Sequence, residues 1–67
     1  MSSTTEKIIT ATDKLKCVER ELEMRYRVYE RQVDKGKMTR AKADREIALM
    51  EEIAADYTAL AEKERLL

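Results

Sequence analysis

The stretch Val33-Asp34-Lys35-Gly36-Lys37-Met38-Thr39 decides how this chain folds, because it holds the single Gly of a 67-residue sequence that has no Pro. Gly is the residue most readily placed in the left-handed conformation that ends a helix. Thr39 precedes a long periodic run, where its hydroxyl can accept a hydrogen bond from an orphan N–H of the next helix. Met38 stands one residue earlier, where an apolar side chain folds back over the first turn and sets the angle of approach. The expectation is a first helix over about 5–35, a turn at 36–38 and a second helix over about 40–66.

Outward from this turn, each arm carries an apolar stripe of helical period. At ~100° per residue, Ile8, Ala11, Leu15, Val18, Leu22, Tyr26, Tyr29 and Val33 fall within roughly 40° of one direction. The steps from 18 to 22 to 26 are nearer an eleven-residue than a seven-residue repeat, so strong left-handed supercoiling is not demanded. The second stripe is Ala43, Ile47, Met50, Ile53, Ala54, Tyr57, Leu60 and Ala61. Closing the stripes about the turn sets Val33 beside Ala43, Tyr29 beside Ile47, Leu22 near Ala54, Leu15 near Ala61 and Ile8 near Leu67. Large residues meet small ones, as interdigitated packing requires. The predicted fold is all-α, an antiparallel two-helix hairpin.

Such a hairpin has little core. Only 4% of residues are aromatic, three Tyr with no Phe or Trp, while 42% are charged, a level typical of long solvated helices. One buried stripe falls short of the entropy of ordering about sixty residues, so more burial is expected from another chain. The sequence offers surfaces for it. Cys17, Met24 and Val28 cluster on the side of helix 1 opposite its seam. Leu49, Ile53, Leu60 and Leu67 line one flank of helix 2, and Ala48, Ala55, Ala59 and Leu66 mark its back. Scattered surface apolar residues are normal on any protein; the sharper reading makes Cys17, Met24, Val28, Leu49, Ile53 and Leu60 an association surface. The predicted assembly is a homodimer forming a four-helix bundle.

Chemistry is poorly served. There is no His, which removes the commonest general base and a leading metal ligand. Glu51, Glu52 and Asp56, with Glu62 and Glu64, lie mostly off the seam and read as a solvated face. Glu46 and Glu64 sit near the seam's edge, where Arg25 and the chain ends offer ordinary ion pairs. The three Tyr read as core with hydroxyls at the rim rather than as a stacking platform for bases. Lys14 and Lys16 are too little to make Cys17 an activated thiolate. No nucleophile–base pair, phosphate loop or zinc spacing is present, so no enzyme, cofactor or metal is expected.

A lone Cys17 cannot form an internal disulfide, and no apolar run resembles a signal peptide or a membrane span. A reducing cytoplasm is the expected location. The polar start suggests a capping box at Ser3-Thr4-Thr5-Glu6, with Thr10-Ala11-Thr12-Asp13 as a later option.

Lysines and arginines number 14 and acids 14, but they are unevenly spread. From Arg25 to Arg45 eight basic residues (Arg25, Arg27, Arg31, Lys35, Lys37, Arg40, Lys42, Arg45) stand against three acids (Glu30, Asp34, Asp44). The remaining chain has six against eleven, so the turn end is about +5 and the open end about −5. A nucleic-acid reading would use Arg27, Arg31, Lys35, Lys37, Arg40, Lys42 and Arg45 as a basic tip, yet no base-reading motif accompanies them. Glu21 with Arg25 and Glu23 with Arg27 also consume charge as i,i+4 support.

Arg20-Glu21-Leu22-Glu23-Met24-Arg25, Val28-Tyr29, Val33 and the run from Gly36-Lys37-Met38-Thr39 through Glu46-Ile47 to Met50 resemble small uncharacterised phage and prophage proteins of proteobacteria. The resemblance covers roughly residues 17 to 60. That family has a Pro after the Val-Tyr pair, where Glu30 stands here. The resemblance implies a mobile-element origin and no particular activity. More loosely, Gly36-Lys37-Met38-Thr39 followed by Glu46 is similar to the Gly-x-Ile-Thr turn of helical-hairpin oligomerisation domains. The function expected is protein–protein interaction or structure, through self-association and a surface offered to a host or phage protein. The competing class is a small nucleic-acid-associated protein.

Overall fold

A computed structural model describes residues 8–66. Two helices, α1 (Ala11–Asp34) and α2 (Arg40–Leu66), pack against each other as an antiparallel hairpin. At 1.5 Å per residue they are about 36 and 40 Å long. The molecule is only 12 Å across in its thinnest direction, about one helix diameter. Among the described residues it is a single layer, with no element over either broad face.

The turn is closed by its own backbone. Gly36 has φ +73°, its N–H donates to the Val33 carbonyl, and Lys37 N–H reaches back to the Gln32 carbonyl at 2.9 Å. These are the two bonds of a Schellman motif, which satisfies carbonyls that the last turn of α1 would leave unpaired. Lys35 is the C-cap. Thr39 Oγ1 accepts from Lys42 N–H at 3.1 Å, and the Thr39 carbonyl accepts from Ala43 N–H. Half-buried Met38 lies between the two devices.

Helix 1 starts later than expected. Ile8 and Ile9 are not helical, and Thr10 caps α1 in extended conformation. The Thr10 hydroxyl accepts from Asp13 N–H while the Asp13 carboxylate accepts from Thr10 N–H, a reciprocal capping box. The earlier box at Ser3–Glu6 lies outside the described residues, but a helix running on from it is broken by this cap. Ile8 therefore leaves the seam and stands 70% exposed; its expected neighbour Leu67 lies outside the described residues. Through Glu30 α1 is continuous.

The seam of α1 is also re-phased. Its buried and half-buried positions include Ala11, Leu15, Val18, Leu22, Arg25, Tyr29 and Val33, with Arg25 in the place expected for Tyr26. Those steps run four, three, four, three, four and four, while Ala43, Ile47, Met50, Ala54, Tyr57 and Ala61 on α2 alternate between four and three. On α1 this stays near the eleven-residue repeat, so strong left-handed supercoiling is not demanded. Arg25 fits because its aliphatic stem can lie along apolar surface while the guanidinium is held outside. Its Nη1 donates to the Glu21 carboxylate at 2.7 Å and to the Glu21 carbonyl at 3.2 Å. Ile53 and Leu60, also expected in the seam, stand on its flank and are exposed.

Candidate association face

Among the described residues only Ala11, Leu22, Ala43 and Ala61 are buried, so a single large side chain, Leu22, joins three Ala in the core. The large apolar side chains are elsewhere. Met24, Val28, Leu49, Ile53 and Leu60 are 37–48% exposed, and Cys17 is exposed beside them.

Helical phase gathers these six residues. Cys17, Met24 and Val28 lie about 120° around α1 from the centre of its seam, and Leu49, Ile53 and Leu60 about 100° around α2. Both offsets have the same sign along the chain, and because the helices run in opposite directions the two stripes point to the same broad face. Cys17 and its neighbours stand about 120° from the seam rather than directly opposite it, the shift of the seam toward Arg25 accounting for about 20° of the difference. Surface depressions at the open end agree with this placement. One is lined by Ile8, Ile9, Lys14, Cys17 and Tyr57, and its neighbour by Ile9, Lys14, Tyr57 and Leu60. Lys14 Nζ lies 5.7 Å from the centre of the Tyr57 ring.

The register follows from two bonds between the arms. Ala11 N–H donates to Glu64 Oε2 at 2.8 Å, and Tyr26 Oη donates to Glu51 Oε2 at 2.6 Å. At this register the apolar face is three rungs: Cys17 with Leu60, Met24 with Ile53, and Val28 with Leu49. Charge surrounds them unevenly. By phase, the tip half of the face carries Lys35 and Lys42 against Glu46, with Arg31 and Arg45 at its outer edge, and the open half carries Asp56 and Glu64 against Lys14, with Asp13, Arg20 and Lys63 at its outer edge.

The other broad face is polar and fastened. Tyr26 is 44% exposed, and its bond to Glu51, with some burial, holds its hydroxyl pKa above the ordinary value. Toward the turn Arg40 grips Glu30 with both guanidinium nitrogens, at 2.7 and 3.1 Å, and approaches Asp44 at 3.6 Å. The hydrogen bond from Arg40 holds the Glu30 carboxyl below its usual range.

The basic tip is only partly as the sequence suggested, since Arg40 is spent on Glu30 and Asp44. Arg27, Arg31, Lys35, Lys37, Lys42 and Arg45 are exposed and form no ion pair among the described residues. Of the two i,i+4 pairs, Glu21–Arg25 forms, and Glu23–Arg27 does not. Glu64 meets the start of α1 through a backbone N–H that sequence spacing could not reveal. Among the described residues no three His, Cys, Asp or Glu converge on a metal position, and no helix is long and apolar enough to cross a membrane.

The chain thus belongs to the class of small helical hairpins that leave one broad apolar face uncovered. No protein-family model, curated protein or solved structure matches it.

Proposed function

We propose that this chain is a non-enzymatic structural or interaction protein that self-associates through its apolar face, as a homodimer that completes a four-helix bundle. The supporting observation is that Cys17, Met24, Val28, Leu49, Ile53 and Leu60 share one uncovered face, while among the described residues only four side chains, three of them Ala, are buried. A second layer over that face would supply the burial the hairpin lacks. The polar face and the basic tip then remain for a host or phage protein, in keeping with the family resemblance, and a lone thiol suits a cytoplasmic location. Sedimentation velocity at micromolar concentration is expected to give twice the 7.8 kDa chain mass; a monomer overturns the reading.

The competing reading, a nucleic-acid-associated protein, draws on the six tip cations without ion-pair partners. Gel shifts with duplex and single-stranded DNA at two salt concentrations separate the two. Strongly salt-sensitive binding that disappears when tip cations are neutralised favours the competitor.

A further inference from the structure

The two apolar stripes match in a way that a single chain does not need. Cys17 and Val28 are eleven residues apart on α1, and Leu49 and Leu60 are eleven apart on α2. The register set by the Ala11–Glu64 and Tyr26–Glu51 bonds places the two midpoints, between residues 22 and 23 and between 54 and 55, at the same height. A two-fold axis lying in the face and crossing both helices there exchanges the ends of each stripe, Cys17 with Val28 and Leu49 with Leu60, and sets the middle residues Met24 and Ile53 at the heights of Glu21 and Asp56 of the other copy. Self-complementarity of this kind is the requirement of an isologous interface.

We propose that the occupant of this face is a second copy of the chain, turned end for end about that axis, so that α1 lies antiparallel on α1 and α2 on α2. This rests on the self-association reading and adds its geometry. Cys17 of one copy then meets Val28 of the other, and Leu49 meets Leu60. The mid-face Glu21–Arg25 ion pair, already closed within each copy, brings no net charge to the centre.

Charge selects this arrangement over the one with tips together. Turning end for end sets Arg31 at the height of the other copy's Lys14, one residue from Asp13, and Lys42 three residues from the height of Glu64, so the favourable term is the +5 tip lying over the −5 open end as a whole. Tips together instead opposes like with like, about +5 on +5 over the turn ends, at distances within the Debye length of ~8 Å at physiological salt. Tips together would set Met24 against Ile53 as well, so end for end is selected by the repulsion and not by the apolar match.

The native thiol gives the test. Helices packed 8–10 Å apart bring facing Cα atoms within the ~7 Å that a disulfide needs. Within one copy, residues 17 and 28 are about 16 Å apart along α1 and cannot bridge. In the proposed dimer, 17 to 17 and 28 to 28 are separated by a similar distance along the axis. Val28→Cys with Cys17 retained is therefore expected to become a covalent dimer almost completely under mild oxidation. The unmodified chain and the Cys17→Ala, Val28→Cys double variant should remain non-covalent. All three are oxidised at a dilution where sedimentation gives a dimer. If sedimentation gives a dimer but Val28→Cys bridges no more than the controls, this register is overturned and self-association stands. Efficient bridging by the unmodified chain overturns it too, since like positions would then be in contact. A monomer in sedimentation removes the parent reading and the geometry with it.

Discussion

The two broad faces of the hairpin are built from the same two helices and differ in how they are finished. One is fastened by polar contacts between the arms, Tyr26 to Glu51 and Arg40 to Glu30, each side chain satisfied within the chain. The other presents three rungs of apolar side chains with no cover. Exposed polar pairs contribute little to stability because water competes for the same groups, whereas uncovered apolar area is a standing drive toward association. The difference teaches that the fastened face sets the register, and the open face is where free energy remains to be gained.

The largest expected effect comes from charging the open face. Burying an Ile is worth about 1.5–3 kcal/mol, and a two-fold dimer loses it twice. Ile53→Glu should raise the dimer dissociation constant by about a hundredfold or more, read by sedimentation over a concentration series. Ala48→Glu, exposed away from that face, should leave it within about twofold. Equal effects of the two substitutions would erase the distinction between the faces.

The seam that both faces share is next. Ala43, close to the turn, is 2% exposed. Ala43→Leu should cost about 1–3 kcal/mol by overpacking, measured by urea unfolding at fixed protein concentration. Unchanged stability there would mean that the arms are not in register contact.

The turn holds the two faces in one molecule. A Cβ at Gly36 would meet nothing within 4 Å, so the cost of substitution is conformational alone, from φ +73°. Gly36→Val should destabilise by about 1 kcal/mol or more, and Gly36→Asn by less, since Asn tolerates the left-handed region. Identical melting of all three chains would remove the left-handed cap and favour one continuous helix.

The smallest effect belongs to the fastened face. Arg40 lowers the Glu30 pKa in the folded state, so the stabilisation it brings is present above the unfolded carboxylate value and is lost as pH falls through the lower folded one. Glu30→Gln should melt slightly below the parent at neutral pH, and the two melting curves should converge in acid. A gap that persists in acid would mean that Glu30 contributes by packing rather than by charge.

The turn was legible because its signals are local. Gly36, Met38 and Thr39 act on backbone groups within a few residues, and the bounds of α2 followed from them. The start of α1 was not, because two capping boxes compete in the first thirteen residues. The one at Thr10 has its reciprocal Asp13 bond and also a contribution from far along the chain, Glu64 on Ala11 N–H.

By itself the sequence determined that two amphipathic helices exist, where they turn, that their seams match large to small, and that apolar residues are left over outside them. The tertiary structure alone decided which side those residues occupy. Tyr26 and Arg25 are adjacent, and apolar periodicity prefers Tyr26, yet the packed pair seats Arg25 near the seam and leaves Tyr26 at the edge. Periodicity scores a side chain by its overall polarity. It cannot see that a long cationic one can lay its stem along apolar surface and anchor its head on Glu21, or that a hydroxyl can be satisfied at the edge by Glu51 across the hairpin. Exchanging Tyr26 for Arg25 and losing Ile8 turns the mean direction of the seam by only about 20° at ~100° per residue. What the packed pair adds is the second helix, whose Leu49, Ile53 and Leu60 flank lies on the same broad face as Cys17, Met24 and Val28.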